Sequence, residues 1–273
     1  MSRVVRIVIA LAVLCTVSLF AQIKYSTGAV SVYVAGGCGG PDLPLSVGVA
    51  ASFRSWYNFA GGFTIFSQWN NGDVWGSDFR DGTDTAADGG SDKPAVYFYN
   101  GHGICSSTPN STTPDHIFVC GNFGTPNDTV IGTSSRWGNN GGALQFAFID
   151  ASCPMELSSL GNQWFPAFQG LHVAIGHSGD TNHDTLNSST RGSLLAAHTA
   201  GLPPPWSWFI PQQSVGDAWM SVGLTDVQSG VCAVAIAAGN DRNDAINRRE
   251  NEFVKSNWSA PTPNWFAWKW VCS

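Results

Sequence analysis

Two side chains suited to nucleophilic catalysis each follow an apolar segment of this sequence. His102 lies just after the run over residues 95–99, and Cys153 lies just after the run over residues 143–149. A thiolate attacks carbonyl carbons, and an imidazole, whose unperturbed pKa is about 6.5, moves protons near neutral pH. The backbone N–H groups of Gly103 and Cys153 are candidate donors to the oxyanion that this attack creates. These residue types predict a cysteine hydrolase with a His102–Cys153 dyad assisted by Gly103.

The segments around this pair alternate between two kinds of pattern. Short apolar runs rich in β-branched and aromatic residues predict strands, and longer periodic segments predict helices. The predicted strands cover residues 29–36, 95–99, 115–120, 143–149, 171–175, 231–238 and 265–271, and the predicted helices cover residues 47–59, 155–170, 190–200 and 213–223. Residues 71–93, rich in Asp and Gly, predict a long surface loop.

This order of elements predicts an α/β fold with a mostly parallel sheet that helices cover on both faces. In such sheets the functional groups gather at the carboxyl ends of the strands. If the strands before His102 and Cys153 are parallel neighbours, both side chains lie at the same edge. A helix that starts after Cys153 would also favour its thiolate through the helix dipole.

The beginning of the chain has the pattern of a secretory signal peptide. Arg3 and Arg6 precede an apolar run over residues 7–21, which ends in Ala21 and is short for a membrane span. We therefore expect a signal peptide over residues 1–21, a single domain over residues 22–273, and a secreted or extracytoplasmic location. After cleavage no membrane partner is expected, and an uncleaved N-terminal anchor stays open as the alternative.

Composition limits the classes of partner. Apolar residues make up 43% of the chain, enough for a sizeable core, and the net charge is −6. An acidic surface disfavours nucleic acid as a partner.

Six cysteines follow the predicted leader, and an exported chain meets an oxidising compartment that favours disulfides. Candidate pairs are Cys105–Cys120, which would close a local loop, and Cys232–Cys272. The connectivity stays open, because spacing alone does not determine it. If Cys153 pairs with Cys38, no thiol remains for catalysis. If Cys153 is free, a second cysteine stays unpaired.

Two blocks of sequence resemble the caspase–legumain–gingipain superfamily of cysteine peptidases. One is Tyr97-Phe98-Tyr99-Asn100-Gly101-His102-Gly103, and the other is Phe146-Ala147-Phe148-Ile149-Asp150-Ala151-Ser152-Cys153. Over most of its length the chain also resembles an uncharacterised family of mostly bacterial exported proteins with this fold. The stretches that carry this second resemblance are residues 39–44, 75–81, 136–138 and 164–172.

The resemblance implies hydrolysis of peptide bonds in a peptide or protein substrate. Cys153 is then the nucleophile and His102 the base. At the end of the next strand, His177 and Asp180 are expected to border the substrate cleft, and Arg136 is assigned to substrate binding with them. This sequence departs from the superfamily at two positions. Ser152 stands where alanine or glycine is common, and Pro154 removes one backbone N–H group directly after Cys153.

Two alternatives remain open. One is a catalytically inactive binding protein of the same fold, with Cys153 in a disulfide. Another is a glycan-binding protein that uses some of the twelve tryptophans, since three Glu in the mature chain are few for a glycosidase. No organic cofactor is implied. Candidate zinc ligands are His177, Asp180, His183 and Asp184. Candidate ligands for a structural calcium ion are Asp73, Asp78, Asp81, Asp84, Asp88 and Asp92.

Overall fold

The computed structural model describes residues 22–79, 90–105, 116–120, 129–138, 143–181, 185, 188–203 and 205–273. The predicted signal peptide over residues 1–21 lies outside these residues. Within them, ten strands occur: β1 (Ile23–Ala29), β2 (Phe63–Asn70), β3 (Val96–Asn100), β4 (His102–Ile104), β5 (His116–Phe118), β6 (Thr129–Val130), β7 (Phe146–Asp150), β8 (Val173–Ser178), β9 (Cys232–Gly239) and β10 (Trp265–Cys272).

Seven of these strands form one mixed sheet in the order β10-β9-β8-β7-β3-β1-β2. In the sheet order β2-β1-β3-β7-β8, each strand is parallel to the next, whereas β9 is antiparallel to both β8 and β10. The prediction of a mostly parallel sheet is therefore confirmed. Strands β4, β5 and β6 form a separate antiparallel sheet.

Five α-helices occur in the described part of the chain: α1 (Ser46–Ala60), α2 (Leu160–Gln163), α3 (Arg191–Ala200), α4 (Val215–Val222) and α5 (Arg242–Asn251). The predictions for α1, α3 and α4 are confirmed. None of these helices combines the length and the apolar composition that crossing a membrane requires.

The core divides into two clusters because successive strand residues point to opposite faces of the sheet. Phe98 and Phe148 face a cluster that includes side chains of α1, α3 and α4. Tyr99 and Ile149 face the other cluster, which includes β5, the short helix α2 and several loops. Long helices therefore cover the first face, and shorter elements contribute most of the second. This differs from the prediction that helices cover both faces of the sheet.

Two predicted elements are wrong, for identifiable reasons. In place of the strand predicted over residues 29–36, the structure has β1, which ends at Ala29. The backbone leaves the sheet there because the Asn71 and Asp42 side chains accept hydrogen bonds from the N–H groups of residues 31–34. The helix predicted over residues 155–170 is reduced to α2 and a 3₁₀ turn, because Met155 N donates to His177 O of β8. Strand β2 and helix α5 were not predicted: α5 is highly polar, and β2 is half-exposed at the edge of the sheet.

Candidate functional site

The ends of β3 and β7 meet, as the sequence predicts. The two strands are parallel neighbours, and Asn100 pairs in register with Asp150. The Asn100 Nδ2 group donates to Asp150 Oδ2 across 2.7 Å. The segments that carry His102 and Cys153 therefore leave the sheet side by side at its carboxyl edge.

His102 lies half-buried at the beginning of β4, where three contacts orient it. Its backbone N–H donates to the Tyr33 hydroxyl at 2.9 Å, and its ring lies 4.5 Å from the Tyr33 ring. Its Nε2 atom is 2.7 Å from Pro41 O. Because a carbonyl oxygen can only accept, this bond assigns a proton to Nε2.

Gly103 packs directly against the segment that leads to Cys153. A Cβ atom added to Gly103 would lie 1.9 Å from the carbonyl oxygen of Ser152. Only glycine allows the two segments to approach so closely. This contact gives Gly103 a clear packing role, whereas its predicted role as an oxyanion donor stays a prediction.

Cys153 is not a free thiol: it forms a disulfide with Cys105, three residues after His102. The prediction of a free nucleophile at this position is wrong for the protein in this state, because a sulfur in a disulfide has no thiolate to attack with. The Cys153 side chain is buried, and its backbone φ of 61° lies in the left-handed region that few non-glycine residues adopt.

Two further features expected around Cys153 are also absent from its described surroundings. Its N–H group donates to Gly179 O at 3.0 Å, so this predicted oxyanion donor is already occupied. The chain turns after Cys153, and the next helix, α2, begins at Leu160 and has four residues. No helix therefore begins directly after Cys153 in the described part of the chain, which corrects the expectation of a thiolate at a helix start.

The remaining cysteines complete the pairing. Cys232 and Cys272 form the predicted disulfide, which joins β9 to β10. The predicted Cys105–Cys120 pair is wrong, since Cys120 bonds to Cys38. The alternative pairing of Cys153 with Cys38 is wrong for the same reason.

Beneath the strand ends lies a buried ionic cluster centred on Asp150. Arg191 Nε donates to both Asp150 carboxylate oxygens, at 3.1 and 3.2 Å. The same guanidinium donates to Thr225 O and Thr181 Oγ1. Buried charges are retained where they are paired and hydrogen-bonded, so this cluster fixes α3 to the end of β7.

Sequence reasoning missed both members of this ion pair. The available signal was the position of Asp150 as a carboxylate that closes a fully apolar strand, where burial demands a partner. Its partner Arg191 is 41 residues away, at the first position of α3. Nothing in the spacing of the sequence identifies that arginine among the others.

His177 belongs to this buried layer and not to an open cleft. Its side chain is fully buried, its Nε2 atom donates to Gly223 O at 2.7 Å, and its ring lies 4.8 Å from Trp219. Burial lowers the pKa of His177 to about 4, an effect that the nearby Asp150 carboxylate opposes. The imidazole is therefore neutral at pH 7, and the buried position removes it from direct contact with a substrate.

The other residues assigned to substrate binding make local contacts. Asp180 is exposed and accepts a hydrogen bond from Ser152 Oγ at 2.8 Å. Arg136 is half-buried, and its Nη1 atom donates to the carbonyl oxygens of Thr133 and Ser135. Their roles toward a substrate stay predictions.

The proposed metal ligands do not form a site where they are described. No group of three or more His, Cys, Asp or Glu side chains lies close enough to hold an ion among the described residues. Asp92 instead accepts from Gly138 N, and Asp78 accepts from Trp75 N. Five of the residues named for zinc or calcium lie outside the described residues: Asp81, Asp84, Asp88, His183 and Asp184.

Comparison with known proteins identifies the family. The chain belongs to the family described as domain of unknown function (DUF6345), whose sequence model matches residues 31–270. No curated protein and no solved structure matches the chain. The matched range includes the strand ends with His102 and Cys153 and most of the last strand, β10.

Proposed function

We propose that this member of the DUF6345 family is an exported binding protein that recognises its ligand without cleaving it. In this proposal, the strand ends at which a cysteine peptidase performs catalysis are closed by a disulfide. The Cys105–Cys153 bond is the observation that carries the proposal.

The chemistry of peptide hydrolysis is the reason. Nucleophilic catalysis needs a thiolate, a base that accepts its proton, and unoccupied donors for the oxyanion. In the disulfide form the Cys153 sulfur is bonded, and its N–H group donates to Gly179 O. His102 then has no thiol proton to accept, so the dyad lacks its reactive half.

The form of the sheet supports a caspase-like ancestry for this binding protein. Five parallel strands in the order β2-β1-β3-β7-β8 are followed by the antiparallel β9. His102 follows the third of these five strands along the chain, and Cys153 follows the fourth. Three disulfides among the described cysteines support export, because such bonds persist in oxidising compartments.

Alkylation without reductant tests the proposal. The native, purified protein is treated with iodoacetamide, digested, and mapped by mass spectrometry, and the same procedure is repeated after reduction with a water-soluble phosphine. We expect Cys105 and Cys153 to be labelled only after reduction, and their peptides to be found cross-linked before it. Substantial labelling of Cys153 in the unreduced protein would refute the binding-only assignment.

A second candidate function is a cysteine endopeptidase that works only after reduction of this disulfide. The contact of Gly103 with the Ser152 carbonyl favours it, because it holds the His102 segment against the Cys153 segment. After a thiol reductant converts the disulfide into two thiols, His102 would take the proton of Cys153. The thiolate would attack the peptide carbonyl carbon, the amine would leave with the proton from His102, and water would hydrolyse the thioester.

A matched pair of variants separates the two functions. Cys105→Ser leaves Cys153 unpaired, and Cys105→Ser/Cys153→Ser removes the thiol as well. If the chain is a latent peptidase, the single variant cleaves a mixed peptide library without reductant and the double variant does not. Equal inactivity of both variants, with native circular dichroism spectra, would eliminate the peptidase.

A further inference from the structure

An open groove runs between helix α5 and the outer edge strand β10. Its volume is about 350 Å³, and it is lined by Arg242, Ile246 and Arg249 of α5 and by aromatic residues of β10. The three helix residues are four and three positions apart, which places them on one face of α5. This groove involves none of the residues at the ends of β3 and β7.

Three tryptophans of β10 keep a large part of their surface in solvent. Trp265, Trp268 and Trp270 are 51%, 41% and 52% exposed. Phe266 stacks on Phe165 with ring centroids 4.0 Å apart, and the Trp268 ring lies 5.9 Å from the same Phe165 ring. Because side chains alternate along a strand, Trp268 and Trp270 share the face of Phe266, whereas Trp265 points to the other face. All three line the groove and offer exposed indole surface to a ligand.

Of the three basic side chains described around the groove, two form ion pairs with other described residues and one does not. Arg249 pairs with Glu250 at 2.6 Å, and Lys269 pairs with Asp217 at 2.6 Å and with Glu250 at 3.1 Å. The side chain of the exposed Arg242 forms no hydrogen bond or ion pair with any residue in the part of the chain that is described. One guanidinium is thus available at the lip of the groove.

Pairing with another strand is disfavoured at this edge. Arg249 Nη1 donates to the carbonyl oxygen of Trp268, in the middle of β10, at 3.1 Å. An incoming strand would compete with this bond and with three bulky exposed indoles. A charged side chain placed on an edge strand is a common way in which proteins prevent such pairing.

We propose that this groove binds an oligosaccharide that carries carboxylates, such as an oligouronate. The C–H face of a pyranose ring is apolar and packs on an exposed indole, while its hydroxyl groups remain in water. The guanidinium of Arg242 offers two parallel donors that match the geometry of a carboxylate. Single-stranded nucleic acid also uses aromatic stacking, but it requires a positively charged groove, which the neutralised Arg249 and Lys269 do not provide.

This inference deepens the proposed function, since it names the ligand class of the binding protein. The two remain separable by experiment, because the groove and the disulfide share no residue. Labelling of Cys153 tests the absence of catalysis, and titration of the groove tests the ligand. Either proposal can therefore be refuted while the other stands.

The test uses the mature protein and tetramers of galacturonate, mannuronate and glucuronate, each paired with its methyl ester, which lacks the negative charge. Binding is measured by titration calorimetry and by tryptophan fluorescence. We expect at least one acid tetramer to bind, and its ester to bind about tenfold to hundredfold more weakly, as the loss of one charge-assisted contact predicts.

Three variants locate the site. Arg242→Gln is expected to weaken the acid tetramer by about tenfold or more and to leave its ester unchanged. Trp270→Ala is expected to weaken both, and Trp208→Ala, which alters an exposed tryptophan in a 3₁₀ turn that does not line the groove, is expected to weaken neither. Absence of binding across the panel, equal affinity for acid and ester, or loss of binding in Trp208→Ala would each overturn the proposal. A dimer that Trp270→Ala dissociates in sedimentation experiments would overturn it too, and would assign the groove to self-association.

Discussion

The buried imidazole of His177 makes the stability of this protein depend on pH in a calculable way. Burial lowers the pKa of His177 to about 4, whereas in the unfolded chain it titrates near the ordinary value of about 6.5. Below about pH 6.5 the unfolded chain therefore takes up a proton that the folded chain excludes. The stability that the folded protein gains from this difference in pKa is fully present above about pH 6.5 and is lost as the pH falls towards about 4.

The magnitude follows from the two pKa values. Between about pH 7.5 and about pH 4.5, the free energy of unfolding is expected to fall by about 2.5 kcal/mol through His177 alone. Other groups titrate in the same range, so the comparison needs a variant that lacks only this imidazole. His177→Gln keeps an amide that can donate to Gly223 O and does not titrate.

Urea unfolding at a series of pH values, followed by circular dichroism, measures the difference between the two proteins. We expect the stability advantage of the wild-type protein over His177→Gln to shrink by about 2.5 kcal/mol as the pH falls across this range. An NMR titration of the His177 ring in the folded protein supplies an independent pKa. Parallel stability curves for the two proteins, or a ring that titrates near pH 6.5, would refute the assignment of a neutral, desolvated imidazole.

Four further variants test the strand ends by their effect on the free energy of unfolding in urea. Gly103→Ala is expected to cost at least about 2 kcal/mol, because its Cβ would lie 1.9 Å from Ser152 O, and a neutral result would mean that the segments are not so close. Replacing Cys105 and Cys153 together by Ala is expected to cost about 4 kcal/mol through the opened loop. Relative to this double Ala variant, Cys105→Ala/Cys153→Gly should be up to about 1 kcal/mol more stable, because φ at position 153 is 61°, which favours glycine over alanine. Equal stability of the two would contradict that backbone conformation. Arg191→Met should cost about 3–5 kcal/mol by removing the guanidinium from a buried carboxylate, and a cost below about 1 kcal/mol would show that the pair is solvated.

The sequence was sufficient to predict the positions of most core strands and the location of His102 and Cys153 just after two of them. Strands such as β3 and β9 are apolar on both faces, a local pattern that requires burial on both sides. Parallel neighbours bring their carboxyl ends to the same edge, and the structure supplies the condition that the sequence left open, namely that β3 and β7 are neighbours. The Cys232–Cys272 pair could be anticipated because each cysteine lies at one end of a predicted strand.

The tertiary structure decided which groups at that edge can react. Cysteine pairing depends on the distance between loops, and Cys105 reaches Cys153 only because Gly103 lets the two segments touch. The protonation of His177 depends on its burial, which a strand-end position does not reveal. The partnership of Asp150 with Arg191 joins residues 41 positions apart, for which the sequence carries no spacing rule. Local patterns indicate where most of the buried strands lie, whereas reactivity depends on contacts between distant segments that exist only after the sheet has assembled.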